Sequence, residues 1–145
     1  MAKSTKSKYA HDKVLEKPIV STDALKQIWI FDNVDHDGRF HFSPSRKDMD
    51  CVSVLDKIIH YSTRTWQEIK RETHDNGKSK HHHLTYDGLS EFAKERVKKL
   101  RLEDMTDDIF SIRLDNMVRI IGIRDGQHFI VKWFDSQHEF YPVDK

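Results

Sequence analysis

Residues 111–143, SIRLDNMVRIIGIRDGQHFIVKWFDSQHEFYPV, decide how the chain is read. Isoleucine, valine and aromatic residues fall there in short runs broken at Asp115-Asn116 and Asp125-Gly126, the pattern of an antiparallel meander. Asp125-Gly126 predicts a two-residue type I′ hairpin turn. Taken as the loop, it pairs Arg124 with Gln127, Ile121 with Ile130, Arg119 with Lys132 and Val118 with Trp133. Residues opposite one another share a side of the sheet. One face then holds Val118, Ile120, Gly122, Phe129, Val131 and Trp133 and is the expected core, while the other holds Arg119, Ile121, Ile123, His128, Ile130 and Lys132.

The preceding strand joins through a three-residue loop at Asp115–Met117, because a two-residue loop would force Arg113 into the core. The expected row across the sheet is therefore Arg113, Arg119 and Lys132 on one face. Tyr141 extends it if Ser136-Gln137 is also a tight turn. Like charges directly opposite one another destabilise a sheet. Either acidic groups such as Glu139 or Asp115 neutralise the row, or an anion binds it. Arginine suits phosphate because its planar fork grips two oxygens at once.

Upstream, residues 1–18 are polar and lysine-rich and read as a flexible basic arm, leaving residues 19–145 as a single domain. Residues 25–42 place two apolar runs around Asp37-Gly38 and predict a β-hairpin. Met49, Val52, Leu55, Ile58 and Ile59 recur at helical spacing, predicting a helix over 47–61. Thr63 or Thr65 caps a second short helix bearing Trp66 and Ile69. A third helix is predicted over 86–100, with Leu89, Phe92, Ala93, Val97 and Leu100 inward and Lys94, Arg96, Lys98, Lys99 and Arg101 outward. Strands are predicted at 109–114, 117–124 and 127–134, with a short fourth at 139–142. The expected class is α+β, helices packed on a twisted antiparallel sheet.

The chain has 145 residues, 37% hydrophobic and 34% charged, with a formal net charge of +1. Any attraction for nucleic acid must then come from local clustering of charge. Cys51 is the only cysteine, which excludes an intramolecular disulfide and a Cys-rich zinc site and fits a reducing cytosol. No apolar run is long enough to span a membrane, and the lysines of the N-terminus are followed by no apolar segment of a secretory signal. The expectation is a cytoplasmic protein with no membrane partner.

Other motifs are weaker. Lys78–His83, KSKHHH, reads as a solvated loop. In an extended segment His81 and His83 share one side and could meet a metal or move protons, but no acid stands at ligand spacing. Lys80 and His82 are candidate nucleic-acid contacts, and so is Arg124 in the hairpin turn. Asp135 and His138 could meet across a turn, either as a catalytic pair or as a lock on the loop. The run 32–38, DNVDHDG, lacks the downstream Glu of a calcium loop.

The pieces TWQEIKRE, KSKHHHLTYDGLSEFAKERVKKL and IFSIRLDNMVRIIGIRDGQHFIVKWFDSQHEFYP, the last with its Trp-x-Asp-x-x-His pattern, cover roughly residues 63–143. They resemble the RelE/ParE-like toxins of bacterial and phage type II toxin–antitoxin modules. The resemblance implies helices on a twisted antiparallel sheet whose cationic face docks on the ribosome and cuts mRNA without a metal or other cofactor. It also implies a cognate antitoxin. On matching positions it implies Arg113, Arg119, His138 and Tyr141 as catalytic groups, with Lys132 as a nucleic-acid contact. The hairpin and arm before residue 43 depart from the shorter toxin pattern.

Three functions follow as expectations. One is a metal-independent endoribonuclease. A second is a non-catalytic toxin that binds a protein target such as DNA gyrase. The third is a phage or host-defence interaction protein that uses the N-terminal hairpin and arm.

Overall fold

A computed structural model describes residues 21–73 and 77–144, so the predicted arm of residues 1–18 lies outside the described residues. Five strands form one sheet: β1 (Ile28–Ile30), β2 (His82–His83), β3 (Ile109–Arg113), β4 (Arg119–Asp125) and β5 (His128–Asp135). Their order is β1-β5-β4-β3-β2. Strands β2 to β5 pair antiparallel, and β1 lies parallel to β5. The α+β class holds, with a mixed sheet in place of the expected antiparallel one.

The helices are α1 (Cys51–Ser62), α2 (Trp66–Arg71) and α3 (Glu91–Lys99). Short side chains start each of them: Asp50 accepts the Ser53 N–H, Thr65 the Glu68 N–H and Ser90 the Ala93 N–H. Thr65 and Glu68 complete a capping box, as the spacing of the two residues allows. Before α3, Tyr86–Gly88 is a separate 3₁₀ turn, so the third helix is shorter than predicted.

The sheet is buried on both faces, which corrects the expectation of one core face and one open face. Toward α1 and α2 point Phe110, Ile112, Ile120, Phe129, Val131 and Phe134, packed with Val54, Tyr61, Trp66 and Ile69. Toward α3 point Ile109, Ile121, Ile123 and Trp133, packed with Leu89, Ala93, Val97 and Phe140. In α1, Val54 and Tyr61 are buried, whereas Val52, Leu55 and Ile59 lie on the outside. The inward side of that helix was thus misread by about a third of a turn. Phe92 of α3 likewise faces outward, under the Arg39 guanidinium at 3.9 Å.

The β4–β5 register differs from prediction for two local reasons. Asp125 pairs with His128, so Gly126-Gln127 forms the loop, with Gly126 at φ +62°. Glycine at the first loop position is the type II′ arrangement. Further along, Ile121 pairs with Trp133 but Gly122 with Val131, leaving Lys132 as a bulged extra residue. The bulge reverses the alternation of β5 and carries Trp133 to the α3 side. The β3–β4 loop is as read: Arg113 pairs with Arg119, and the Leu114 N–H donates to the Val118 carbonyl.

The predicted N-terminal hairpin does not form. β1 has no antiparallel partner across Asp37-Gly38; instead the segment after it folds back on β5, where the Phe134 N–H donates to Phe40 O and the Asp35 N–H to Lys132 O. Phe40 is buried against Phe140, and Asp35 against α3, and these contacts outweigh the turn preference. Residues 139–142 make no strand; a 3₁₀ turn occupies Pro142–Asp144.

Candidate functional site

Cross-strand pairing sets a polar row on the α3 side of the sheet, beyond the apolar part covered by α3. Arg113 of β3 pairs with Arg119 of β4, and Arg119 pairs with Asp135 of β5. Ser111, two residues before Arg113 and on its side, pairs with His82 of β2. The row therefore reads Arg113, Arg119, Asp135, not Arg113, Arg119, Lys132. An acid stands at its end, though the Asp135 carboxylate is taken by the backbone N–H groups of its own turn.

Both guanidinium groups are fixed by the loop between their strands. Arg113 donates through Nε to Asp115 O at 3.0 Å and through Nη2 to Asn116 Oδ1 at 3.2 Å. Arg119, 8% exposed, donates through Nη1 to the carbonyls of Asp115, Asn116 and Val118. The Asp115 carboxylate accepts the N–H groups of Met117 and Val118, tightening the same loop. A pair of arginines held this way keeps its forks in place rather than sweeping through solvent.

Tyr141 sits at the rim. Its hydroxyl meets Thr85 Oγ1 at 2.9 Å, and its ring lies edge-on to His82 with centroids 6.1 Å apart. Gly88 allows this approach, because a Cβ there would stand 2.4 Å from the tyrosine ring. His82 donates its Nδ1–H to the His83 carbonyl at 3.0 Å. As a neutral ring it is then protonated on Nδ1, and Nε2 is its basic nitrogen.

Asp135 and His138 do belong to one turn. The Asp135 carboxylate, 2% exposed, accepts the backbone N–H groups of Gln137, Glu139 and Phe140. His138 adopts φ +56° within that turn and is 7% exposed. These contacts give Asp135 the loop-locking role.

Two of the predicted nucleic-acid contacts stand elsewhere. Lys132 is buried at the bulge, where Nζ donates to Asn33 O at 3.0 Å, and burial lowers its pKa. Arg124 lies on the opposite face, 4.2 Å over the Trp66 ring and bonded to Thr22 and Asp23. Lys80 precedes β2, its N–H donating to Glu72 O.

His81 is not in a solvated loop. It is fully buried, with the Tyr61 ring edge-on at 4.9 Å. Its Nδ1 accepts the Arg113 N–H at 3.0 Å, so the hydrogen is on Nε2 and points at Glu72 Oε1, 3.1 Å away. Burial drives its pKa down to about 4, against the opposing pull of Glu72. Both nitrogens are committed, which suits a structural group and not a proton shuttle. His83 shares its side of the sheet, edge-on to Phe110, as the spacing implied. Among the described residues no group of three metal-ligating side chains converges.

No family model, curated protein or solved structure matches the chain. Among the described residues no helix is long and apolar enough to cross a membrane.

A second polar centre escaped the sequence reading. Asp35, its side chain 1% exposed, receives Arg96 Nε and Nη2 at 2.8 Å each, Trp133 Nε1 at 3.0 Å and the Asp37 N–H. Burial raises its pKa, but those donors outweigh it and hold the carboxyl below the usual range. Arg96, expected on the outward face of the third helix, turns instead to Asp35. Nothing local in the sequence marks a pair 61 residues apart.

Proposed function

We propose that this chain binds RNA at the Arg113–Arg119 row and cleaves it without a metal, as a toxin-like endoribonuclease paired with an antitoxin. The observation that carries the reading is the cross-strand pairing of Arg113 with Arg119, two arginines on one sheet face, with His82 one strand over opposite Ser111 and Tyr141 edge-on to His82. A phosphodiester seated there gains fork-shaped donors for its two non-bridging oxygens. His82 Nε2 takes the proton of the 2′-hydroxyl, the 2′-oxygen attacks phosphorus, and the 5′-oxygen leaves with a proton from Tyr141. The products are a 2′,3′-cyclic phosphate and a 5′-hydroxyl, and Arg113 stabilises the charge that builds on the phosphorane. His138 and Arg119 are more buried than the resemblance implies for catalytic groups; Arg119 acts here through its place beside Arg113.

The test is controlled expression in bacteria of wild type and of Arg113→Ala, with total RNA examined and folding checked by circular dichroism. Growth arrest with fragmented mRNA, relieved by the folded variant, supports the reading. Arrest with intact RNA overturns it in favour of a protein-binding toxin, for example one acting on DNA gyrase. One observation favours that second reading: Val52, Leu55 and Ile59 form an exposed apolar stripe on α1, 83%, 57% and 56% accessible. Normal growth with abundant soluble protein removes both.

A further inference from the structure

We infer that the RNA taken by this site is single-stranded and runs along a track with cations at its two ends and aromatic rings between them, from α3 across β2 to the arginine pair. The inference rests on the RNA-binding reading above and adds the substrate's form and the residues that hold it. At one end Lys94 Nζ stands 5.4 Å from the centre of the Tyr86 ring. Lys94 also meets Glu91 Oε2 at 3.6 Å, a contact on the exposed side of α3 that a phosphate would have to rival. Tyr86 opens the 3₁₀ turn that ends at Gly88, and the Tyr141 ring lies against that glycine. Tyr141 in turn faces His82 at 6.1 Å, and His82 is opposite Ser111, two residues before Arg113. From Lys94 to His82 the links are consecutive, Arg113 follows two residues along β3 from the partner of His82, and Lys94, Tyr86, Tyr141, His82 and Arg113 are each partly exposed.

Three aromatic rings between two sets of cations suit a strand whose bases are unstacked from a partner. Bases stack on rings, phosphates meet the cations, and no sequence-reading edge contacts are needed. A duplex keeps its base faces inside and could use only the cations. The proposal therefore separates single strand from duplex, which the arginine pair alone does not.

Fluorescence anisotropy of the full chain decides it, with a labelled RNA of about 12 nucleotides, within the span such tracks cover, and its duplex. The variants are Lys94→Glu, which reverses the charge at the surface, and Tyr86→Leu, which keeps apolar volume where the ring packs on the core. Wild type is expected to prefer the single strand by about tenfold, and each variant to lose about tenfold in affinity with an unchanged melting temperature. Equal or better binding of the duplex overturns the track. So do variants that bind like wild type while Arg113→Ala does not, an outcome that leaves the RNA reading intact. Wild type that binds neither RNA ends the RNA reading itself and this inference with it.

Discussion

His81 Nδ1 accepts the backbone N–H of Arg113 at 3.0 Å, so a buried imidazole fixes the end of the strand that carries the candidate site. Tyr61 adds a second hold by donating its hydroxyl to Arg113 O at 3.3 Å. The grip requires an unprotonated Nδ1. Burial keeps His81 neutral, moving its pKa from 6.5 to about 4. In the unfolded chain the ring protonates near 6.5, so between these values the unfolded state binds more protons. Stability contributed by His81 is complete above pH 6.5 and is lost as pH falls to about 4, by about 3 kcal/mol in all. His83 is shifted down by burial as well and adds in the same direction. Urea unfolding at pH 7 and pH 5 should show this loss, and His81→Asn, which keeps an acceptor near Nδ1 but cannot titrate, should flatten the slope by about one proton. An unchanged slope in that variant would refute the assignment.

Arg96→Ala is expected to cost about 3 kcal/mol or more, because it leaves the Asp35 carboxylate buried without its counter-charge. The Arg96 stem also packs over Gly38, within 2.9 Å of where a Cβ would stand, so contact is lost with charge. Arg96→Lys should recover only part, since an ammonium cannot place two donors on both carboxylate oxygens. Chemical denaturation of the two variants beside wild type measures both effects. A loss under 1 kcal/mol for Arg96→Ala would mean that Trp133 Nε1 and the Asp37 N–H suffice to hold Asp35.

The meander and the capped helices were legible because their signals are local. Thr65 and Glu68 stand three apart and make the capping box, and the polar loop at Asp115–Met117 sets Arg113 opposite Arg119. What failed was each inference that needed a distant partner. Asp37-Gly38 does turn the chain, with Gly38 at φ +85°, but the strand before it pairs with β5, about 100 residues away. The helical period in α1 was correct in spacing, yet Val52, Leu55 and Ile59 form one stripe and Val54 and Tyr61 mark another, and only packing selects between them. The Lys132 bulge is likewise invisible to alternation, since a period of two cannot announce its own interruption. The two-residue shift at the turn and this one extra residue together took Lys132 out of the predicted row and brought Asp135 opposite Arg119.

Gly122→Ala tests the bulge directly. A Cβ at this position would lie 2.3 Å from the Ile130 carbonyl oxygen, on backbone that cannot swing aside like the end of a side chain. The substitution is expected to destabilise the fold by about 2 kcal/mol and to lower the soluble yield. Gly126→Ala, where the added methyl would make only an ordinary contact with Thr22 but φ is positive, should cost less, about 1 kcal/mol. Thermal melts of the two variants give the order, and the reverse order would argue against the Ile121/Gly122 shift in register.

Tyr141→Phe separates a structural from a catalytic use of the rim tyrosine. The ring would still fill the space over Gly88 and face His82, so the packing contribution persists. Only the hydrogen bond to Thr85 Oγ1 is removed, and because Thr85 is exposed, water can replace the partner. The expected stability loss is about 1 kcal/mol or less. If the hydroxyl supplies the leaving-group proton, single-turnover RNA cleavage should fall by about 10² or more while RNA affinity stays within twofold, the separation expected for a group that acts only in the transition state. Thr85→Ala is the matched control, removing the same hydrogen bond while leaving the hydroxyl in place. Equal losses in the two variants would make the tyrosine a positioning residue, whereas a loss confined to Tyr141→Phe would assign the proton to it.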